Sequence, residues 1–350
     1  MSRQALAKAR EKIKPEAIRA INDGLVANFE KYDTEIETMH GHRVFAVDGS
    51  WIDLPENEKL RDEFGFTTGS NNFSHCKGRA MIAIDLLNHI CPYGELINLS
   101  IGETTKMHNI SDYFAGIDTY KNCIFVLDRA YPSLKLFKKL ERNNQFYLMR
   151  AANSFYKEIV NTNEPDTIVT IKRKKEQATV RVIKFPLSSG IVEILVTNLP
   201  QSFTYEELVS LYAKRWGVET KYHYIKNVEL LECFTGESVT AVMQDFYASI
   251  LMLNISAIAY REQAAVLAKD SVKNPKKYNY KPNYKQIICD IKTDLVKMLS
   301  SKNAFSKVFK QFFLLRKIKR FSFAEIQNRS KPRNDPKRHS TLKSHPKSPL

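Results

Sequence analysis

The apolar positions of this chain fall into stretches of helical period and stretches of strand period. Residues 1–38 read as helical. SRQALAKAREKI comes first, and Lys14-Pro15-Glu16 then opens a helix whose apolar positions Ile18, Ile21, Leu25 and Phe29 recur every three or four residues. HRVFAVDGSWIDLP reads as a strand that ends near Asp48-Gly49-Ser50. RAMIAIDLLNHI and GELINLSIGE form a hairpin-like pair around Cys91-Pro92-Tyr93-Gly94. HNISDYFAGIDTY reads as a helix. NCIFVLDRAY is a near-continuous apolar strand of the kind buried on both faces, ending at Asp128. Pro132 opens the helix PSLKLFKKLERN, and QFYLMRA is a further strand. Three strands, a helix, a strand, a helix and a strand predict a mixed α/β sheet.

The pattern changes near Asn153. TIVTIKRKKEQATVRVIKF alternates like a hairpin with a basic outer face, and IVEILVTNLP adds a strand before helical period returns at Ser202/Thr204, with Glu206 and Glu207 in the first turn. A second long helix is expected over roughly Val239 to Ala268. VKNPKKYNYKPNYK then interleaves lysines with Tyr278, Tyr280 and Tyr284, and FSKVFKQFFLLRKIKR reads as a basic amphipathic helix. Residues 329–350 carry seven Lys/Arg against one Asp, with four prolines, and read as a disordered basic tail. The expected organisation is a helical N-terminal segment (1–40), a first part of a core (41–152), a β-strand insertion (153–200), a second part of the core (201–268), a C-terminal helical region (269–328) and the tail (329–350).

Composition narrows the function. With 54 Lys+Arg against 38 Asp+Glu the net charge is +16, which points to a polyanionic partner, nucleic acid before membrane. A hydrophobic content of 43% over 350 residues is that of a globular protein with a sizeable core. The longest apolar runs fall short of a membrane span, and Met1 opens a polar segment unlike a signal peptide. Cys76, Cys91, Cys123, Cys233 and Cys289 are scattered singly, as in a cytoplasmic protein with reduced thiols, and offer no zinc spacing.

Three acids stand where chemistry is expected. Asp48 and Asp128 each close an apolar strand, and Glu219 sits in the helical stretch LYAKRWGVETKYHYIK. On a uniform helix Tyr212, Arg215, Glu219 and Lys226 point at roughly 0°, −60°, −20° and −40°, one narrow stripe. Three carboxylates converging without a cation would repel one another strongly. Hard divalent ions with oxygen ligands relieve that repulsion and leave coordination sites for phosphate and water. Asp53 is expected to face the other side of its strand from Asp48, and Asp85 reads as a strand or turn polar residue.

AVDGS, VLDRAY and the gap-free spacing Tyr212-x2-Arg215-x3-Glu219-x6-Lys226 resemble the bacterial insertion-sequence transposases of the DDE class. Within that class they resemble insertion-sequence family four, whose signature is Y-R-E-K. The resemblance spans about residues 2 to 260, and SRQALAKAREKIKPEA resembles the segment before the catalytic domain. It implies a ribonuclease-H-like mixed-sheet core interrupted by a β-strand insertion, with helical N- and C-terminal segments. It also implies cut-and-paste transposition: water frees a 3′-OH at the transposon end, the hydroxyl forms a hairpin, and the reopened end joins target DNA. Asp48, Asp128 and Glu219 would be catalytic and hold two Mg²⁺ ions, or Mn²⁺, per site. Tyr212, Arg215 and Lys226 would bind DNA. Implied partners are double-stranded DNA, at the terminal inverted repeats and at the target, and a second copy in a homodimer assembled on the DNA ends; no membrane is implied.

Members often carry a longer end-reading domain before the first aspartate, so residues 1–40 are expected to be a remnant of it. The alternative on that ground is a shortened, non-transposing DNA-binding or dimerising inhibitor of an intact transposase. Some members stack a flipped base on a tryptophan in the β insertion. Here the tryptophans are Trp51 and Trp216, which leaves Phe155, Tyr156 and Phe185 as aromatics in or next to that segment.

Overall fold

A computed structural model describes the chain except for residues 1, 2, 34, 69–73, 174–175, 188–189, 229–230, 274–279, 300–322 and 326–350. The basic helix and tail expected toward the C-terminus, and residues 274–279 of the lysine-tyrosine stretch before them, lie outside the described residues. Helices α1 (Arg3–Glu11) and α2 (Pro15–Tyr32) precede β1 (Val44–Asp53). A short helix α3 (Glu58–Phe64) and β2 (Phe66–Thr68), neither evident from the pattern, lead into the hairpin of β3 (Ser74–Asp85) and β4 (Tyr93–Ile97). Then follow α4 (Glu103–Ala115), β5 (Ile124–Leu127), α5 (Leu134–Arg142) and β6 (Phe146–Ala151). After the turn α6 (Lys157–Val160) come β7 (Asp166–Arg173), β8 (Glu176–Pro186) and β9 (Val192–Thr197). The described chain closes with α7 (Tyr205–Ala213), α8 (Trp216–His223), α9 (Val239–Lys273), β10 (Tyr280–Pro282), α10 (Tyr284–Leu299) and β11 (Phe323–Glu325).

The central sheet runs β2-β3-β1-β5-β6-β9-β8-β7, with β4 also on β3. Strands β1, β5 and β6 are parallel and β3 and β4 antiparallel to their neighbours, so β4-β3-β1-β5-β6 is the strand order of a ribonuclease-H-like core. The strands of residues 153–200 do not stand apart from it. β9 pairs antiparallel with β6, Leu148 opposite Thr197, and β8 and β7 continue outward, so this segment lengthens the same sheet.

Alternation along the strands sorts side chains into two layers. Val44, Ala46, Ile124 and Val126 pack with Leu208, Val218 and Phe246 from α7, α8 and α9. Phe45, Val47, Phe125 and Leu127 pack with Ile110 and Phe114 of α4 and Phe137 and Leu140 of α5. All four residues of β5 are buried, which explains its unbroken apolar run. Each such side chain contributes about 1.5–3 kcal/mol of transfer free energy.

The N-terminal helices are built into the fold. Asn254 of α9 bridges Asn22 of α2, at 2.7 Å, and the backbone of Cys91. Arg10 of α1 reaches Asp245 of α9 at 3.1 Å. Among the described residues α9 is the one helix long and apolar enough to cross a membrane, over Val239–Lys269, although the sequence predicts no apolar run of that length. Two thirds of its apolar window, 67%, is buried inside this fold, the burial of a core helix.

Candidate active site

The parallel pairing of β1 and β5 places the first two acids. Val44 lies opposite Ile124 and Ala46 opposite Val126, a constant offset of 80 residues (124 − 44 = 126 − 46). The ladder ends at Ala46–Val126; carried two residues further, the same offset would set Asp48 beside Asp128, on chains that run about 4.8 Å apart where they pair. Both aspartates continue the parity of Ala46 and Val126, so both side chains project toward the α7–α8 layer. Asp48 is half-buried and accepts the Gly49 amide at 2.9 Å. Asp128 follows the last residue of β5, and the Tyr212 hydroxyl donates to it at 3.4 Å.

The third acid arrives on α8, which is tied to β1. Tyr222, one turn after Glu219, shares its hydroxyl hydrogen between the carbonyls of Asp48 and Ala80, each 2.8 Å away. The stretch expected to be one uninterrupted helix is not one. α7 starts from a capping box of Thr204 and Glu207 and ends at Ala213; i→i−3 hydrogen bonds tighten the chain through Lys214–Val218, and α8 follows. Beyond His223 the chain widens into a π-helical turn, Tyr224–Val228. A uniform 100° step therefore fails on both sides of Glu219. Tyr212, Arg215 and Glu219 still meet over the aspartates. Lys226 turns instead to the Trp51 carbonyl and to Glu232, 3.3 Å away.

Arg215 lies at the centre of this arrangement. Only 4% of it is exposed, so it is not part of a solvated stripe. One guanidinium nitrogen holds Glu219 Oε1 at 2.9 Å, the group lies over the Tyr212 and Trp216 rings, and Nε is buried without a hydrogen-bond partner. Its charge also acts on Asp48 and Asp128. Tyr212 is buried, and desolvation raises its hydroxyl pKa, so it stays a neutral donor.

Burial pushes the Asp48 carboxyl up to about 6. The Gly49 amide and Arg215 oppose that rise, while the charges of Glu103 and Glu219 add to it. Glu103 opens α4, and sequence reading missed it because the helix was expected to start several residues later, at His108. The available signal was Gly-Glu-Thr-Thr, an acid in the first turn after a glycine N-cap. Among the described residues no three acid, His or Cys groups already form a closed ligand set, and Glu219 is turned to Arg215. The donors nonetheless suit a hard divalent cation: all are carboxylate oxygens, and a half-buried Asp48 carries unfavourable negative charge that such an ion would neutralise.

The other candidates have structural places. Asp53 pairs with Lys77 at 2.6 Å. Asp85 is fully buried and accepts from Arg43 and from the amides of Leu87 and Asn88. Phe155, Tyr156 and Phe185 pack partly buried against the core, with Arg173 over the Tyr156 ring, whereas Trp51 and Trp216 are exposed at 53% and 48%.

Strand β1 runs on to Asp53 instead of ending near Ser50 as expected, so Asp48 lies midway along it, while Asp128 stands just past the end of β5. These neighbouring aspartates on parallel strands, faced by a helix-borne glutamate, define an acid-centred protein of the ribonuclease-H-like class. The family described as the transposase DDE domain matches residues 39–255, a span that contains all six of Asp48, Asp128, Tyr212, Arg215, Glu219 and Lys226. The chain belongs to the transposase DDE-domain family. Over 167 residues it is 26% identical to a Synechocystis sp. chain assigned as the transposase for insertion sequence element IS4SA, covering 46% of this chain and 47% of that one. The chain thus spans about half the length of this curated relative. Of the solved structures, the piggyBac transposase synaptic complex with hairpin DNA is similar at a TM-score of 0.45 and 11% identity, over 77% of this chain and 56% of that chain.

Proposed function

We propose that this chain is a DDE transposase of an insertion sequence, cutting DNA at the element's terminal inverted repeats, forming a hairpin and joining the freed 3′-OH to target DNA. The observation that carries the reading is the shared row of Asp48 and Asp128, with Glu219 brought across it by α8. These three carboxylates would hold divalent cations, Mg²⁺ or Mn²⁺, two per site, whose chemistry when bound is to lower the pKa of water and to stabilise the attacking and leaving oxygens of phosphoryl transfer.

The chain's own residues supply positioning. Asp128 is oriented by the Tyr212 hydroxyl, and the Asp48 backbone is fixed by Tyr222. Arg215 offers a buried planar fork with one nitrogen still unpartnered, suited to a phosphate oxygen next to the scissile bond. Lys226, on the separate π-helical turn, serves as a point charge for a phosphate further along the same strand. The +16 charge supplies sequence-independent attraction to the duplex. The working assembly is a homodimer on paired DNA ends, acting on DNA in the cytoplasm.

The test is incubation of full-length protein and Mg²⁺ with an end-labelled duplex that carries the repeat flanking its own reading frame. A nicked 3′-OH product, a hairpin and joined products support the proposal. Tight binding with no cleaved product under any divalent ion would favour a non-transposing DNA-binding role.

A further inference from the structure

Behind α8 lies a cavity of about 270 Å³ that none of the roles above uses. Gly217, Thr220, Lys221 and Tyr224 line it, and at 100° per residue they point roughly 100° to 200° away from Glu219 around the helix. The other walls come from His89 between β3 and β4, from Tyr260 of α9 and from residues 281–285, which lead into α10. Two chemistries meet there. One is aromatic: ring centroids are 4.5 Å apart for Tyr224 and Tyr284, 5.8 Å for Tyr260 and Tyr284, and 5.9 Å for His89 and Tyr260. The other is cationic: Lys221, Lys281 and Lys285 line the cavity, and among the described lining residues there is no acid. Lys221 is only 6% exposed, while Lys281 and Lys285 stand exposed at the mouth. The Lys221 ammonium lies over the Tyr284 ring, 4.5 Å from its centroid, and 3.5 Å from the Tyr284 hydroxyl, which donates onward to the Leu253 carbonyl at 3.1 Å. After burial, the charges of Lys221, Arg261 and Lys214 are what lower the His89 pKa to about 4, the mark of a positive local field.

The structure assigns to this cavity one phosphorylated nucleotide, its phosphate on Lys221 and the two rim lysines and its base against the tyrosine rings, supplied free or by a DNA strand. A seam that only packed α10 against α8 would close on itself and would not gather three ammonium groups around one void. The volume, near the lower end of small-molecule sites at roughly 300 Å³, admits a single nucleotide and not a duplex. Phosphate on lysine with a base on an aromatic face is the combination by which proteins hold single nucleotides of a strand. The assignment goes beyond the proposed function, since no residue of the cavity takes part in strand cleavage and the acids lie on the opposite side of α8.

Calorimetry on the full chain in EDTA, at physiological salt, tests this with thymidine, thymidine monophosphate and a short single-stranded oligothymidylate as probes. Wild type is expected to bind the monophosphate at least about tenfold more tightly than thymidine, and Lys221→Met, which keeps a buried stem, to lose at least about tenfold. Tyr260→Leu should lose about fivefold or more through the base. Oligothymidylate that binds more tightly than the monophosphate and depends on Lys221 identifies a strand as the source; dependence of the monophosphate alone identifies a free nucleotide. Affinities of Lys221→Met within twofold of wild type for both phosphorylated probes overturn the assignment. So does thymidine bound as tightly as its monophosphate, or a wild type that binds neither phosphorylated probe. Should Lys221→Met not fold, the double variant Lys281→Ala/Lys285→Ala on the exposed rim, with both affinities unchanged, overturns it equally. Because the titrations exclude divalent ions, a wild type that fails to cleave DNA counts against the proposed function alone.

Discussion

Replacing Asp48 by Asn should make the metal-free protein more stable, not less, and only at neutral and alkaline pH. Burial and the neighbouring acids hold the Asp48 carboxyl at about 6, against 3.8 for an ordinary aspartate. The sign follows from comparing protons bound. Below about pH 3 both folded and unfolded chains carry the proton and Asp48 costs nothing. As pH rises the unfolded chain releases its proton first, so stability falls, and above pH 6 the loss is complete. A displacement of about 2 pH units corresponds to about 3 kcal/mol, and partial solvent access reduces this to about 1.5 kcal/mol. Asn keeps an oxygen for the Gly49 amide and never charges.

Urea unfolding in EDTA, followed by circular dichroism, should show Asp48→Asn equal to wild type at pH 3 and about 1.5 kcal/mol more stable at pH 8. In thermal unfolding that is a rise of about 2–4 °C. Adding Mg²⁺ should then raise wild type by mass action and leave the variant unmoved. Equal stability at pH 8, or the same difference persisting at pH 3, would refute the view of Asp48 as an anion held in a repelling site that awaits a cation.

Three further changes probe the surroundings. Arg215→Ala should destabilise the fold by about 1–3 kcal/mol in urea, because it strips a buried pair from Glu219 and packing from Tyr212 and Trp216; a solvated stripe would lose a few tenths. His89 is held at about 4 by burial first and then by Lys221, Arg261 and Lys214. Its neutral form stabilises the fold above about pH 6.5, and that contribution is lost as pH falls toward 4, so His89→Asn, which tolerates the local φ of 64°, should flatten that slope by about 1–2 kcal/mol relative to wild type. Asp85→Ala should cost at least about 3 kcal/mol by taking from buried Arg43 one of its two carboxylates, Glu30 being the other, and from two amides their acceptor, and a variant that still folds should keep Mn²⁺ affinity.

The sheet was legible in the sequence because its strands carry clear periodicities: an unbroken apolar run for buried β5 and alternation for β7 and β8. The family resemblance named the acids and their order. Sequence could not show that Asp48 and Asp128 share a row, since that depends on the pairing register of strands 80 residues apart. The Tyr212–Lys226 stripe rested on uniform helix geometry, which the tightened turn near Arg215 and the π-helical turn at Tyr224 both break. A charge stripe read as surface also concealed that Arg215 is buried, because burial is decided by what packs over a helix and not by its own pattern. Glu103 was missed for a related reason. Its place beside β1 comes from a close approach to Gly49, a residue whose contribution is the absence of a side chain.

The central claim is that the Asp48–Asp128 row is a reactive centre, and Asp128→Asn tests it most directly. Asp128 has no buried salt bridge to lose, so the variant should fold and should bind an end-labelled terminal-repeat duplex as wild type does. Its single-turnover rate of strand cleavage in Mg²⁺ should fall at least about a thousandfold, equivalent to about 4 kcal/mol of barrier. Cleavage within tenfold of the wild-type rate, at matched DNA occupancy, would contradict the account.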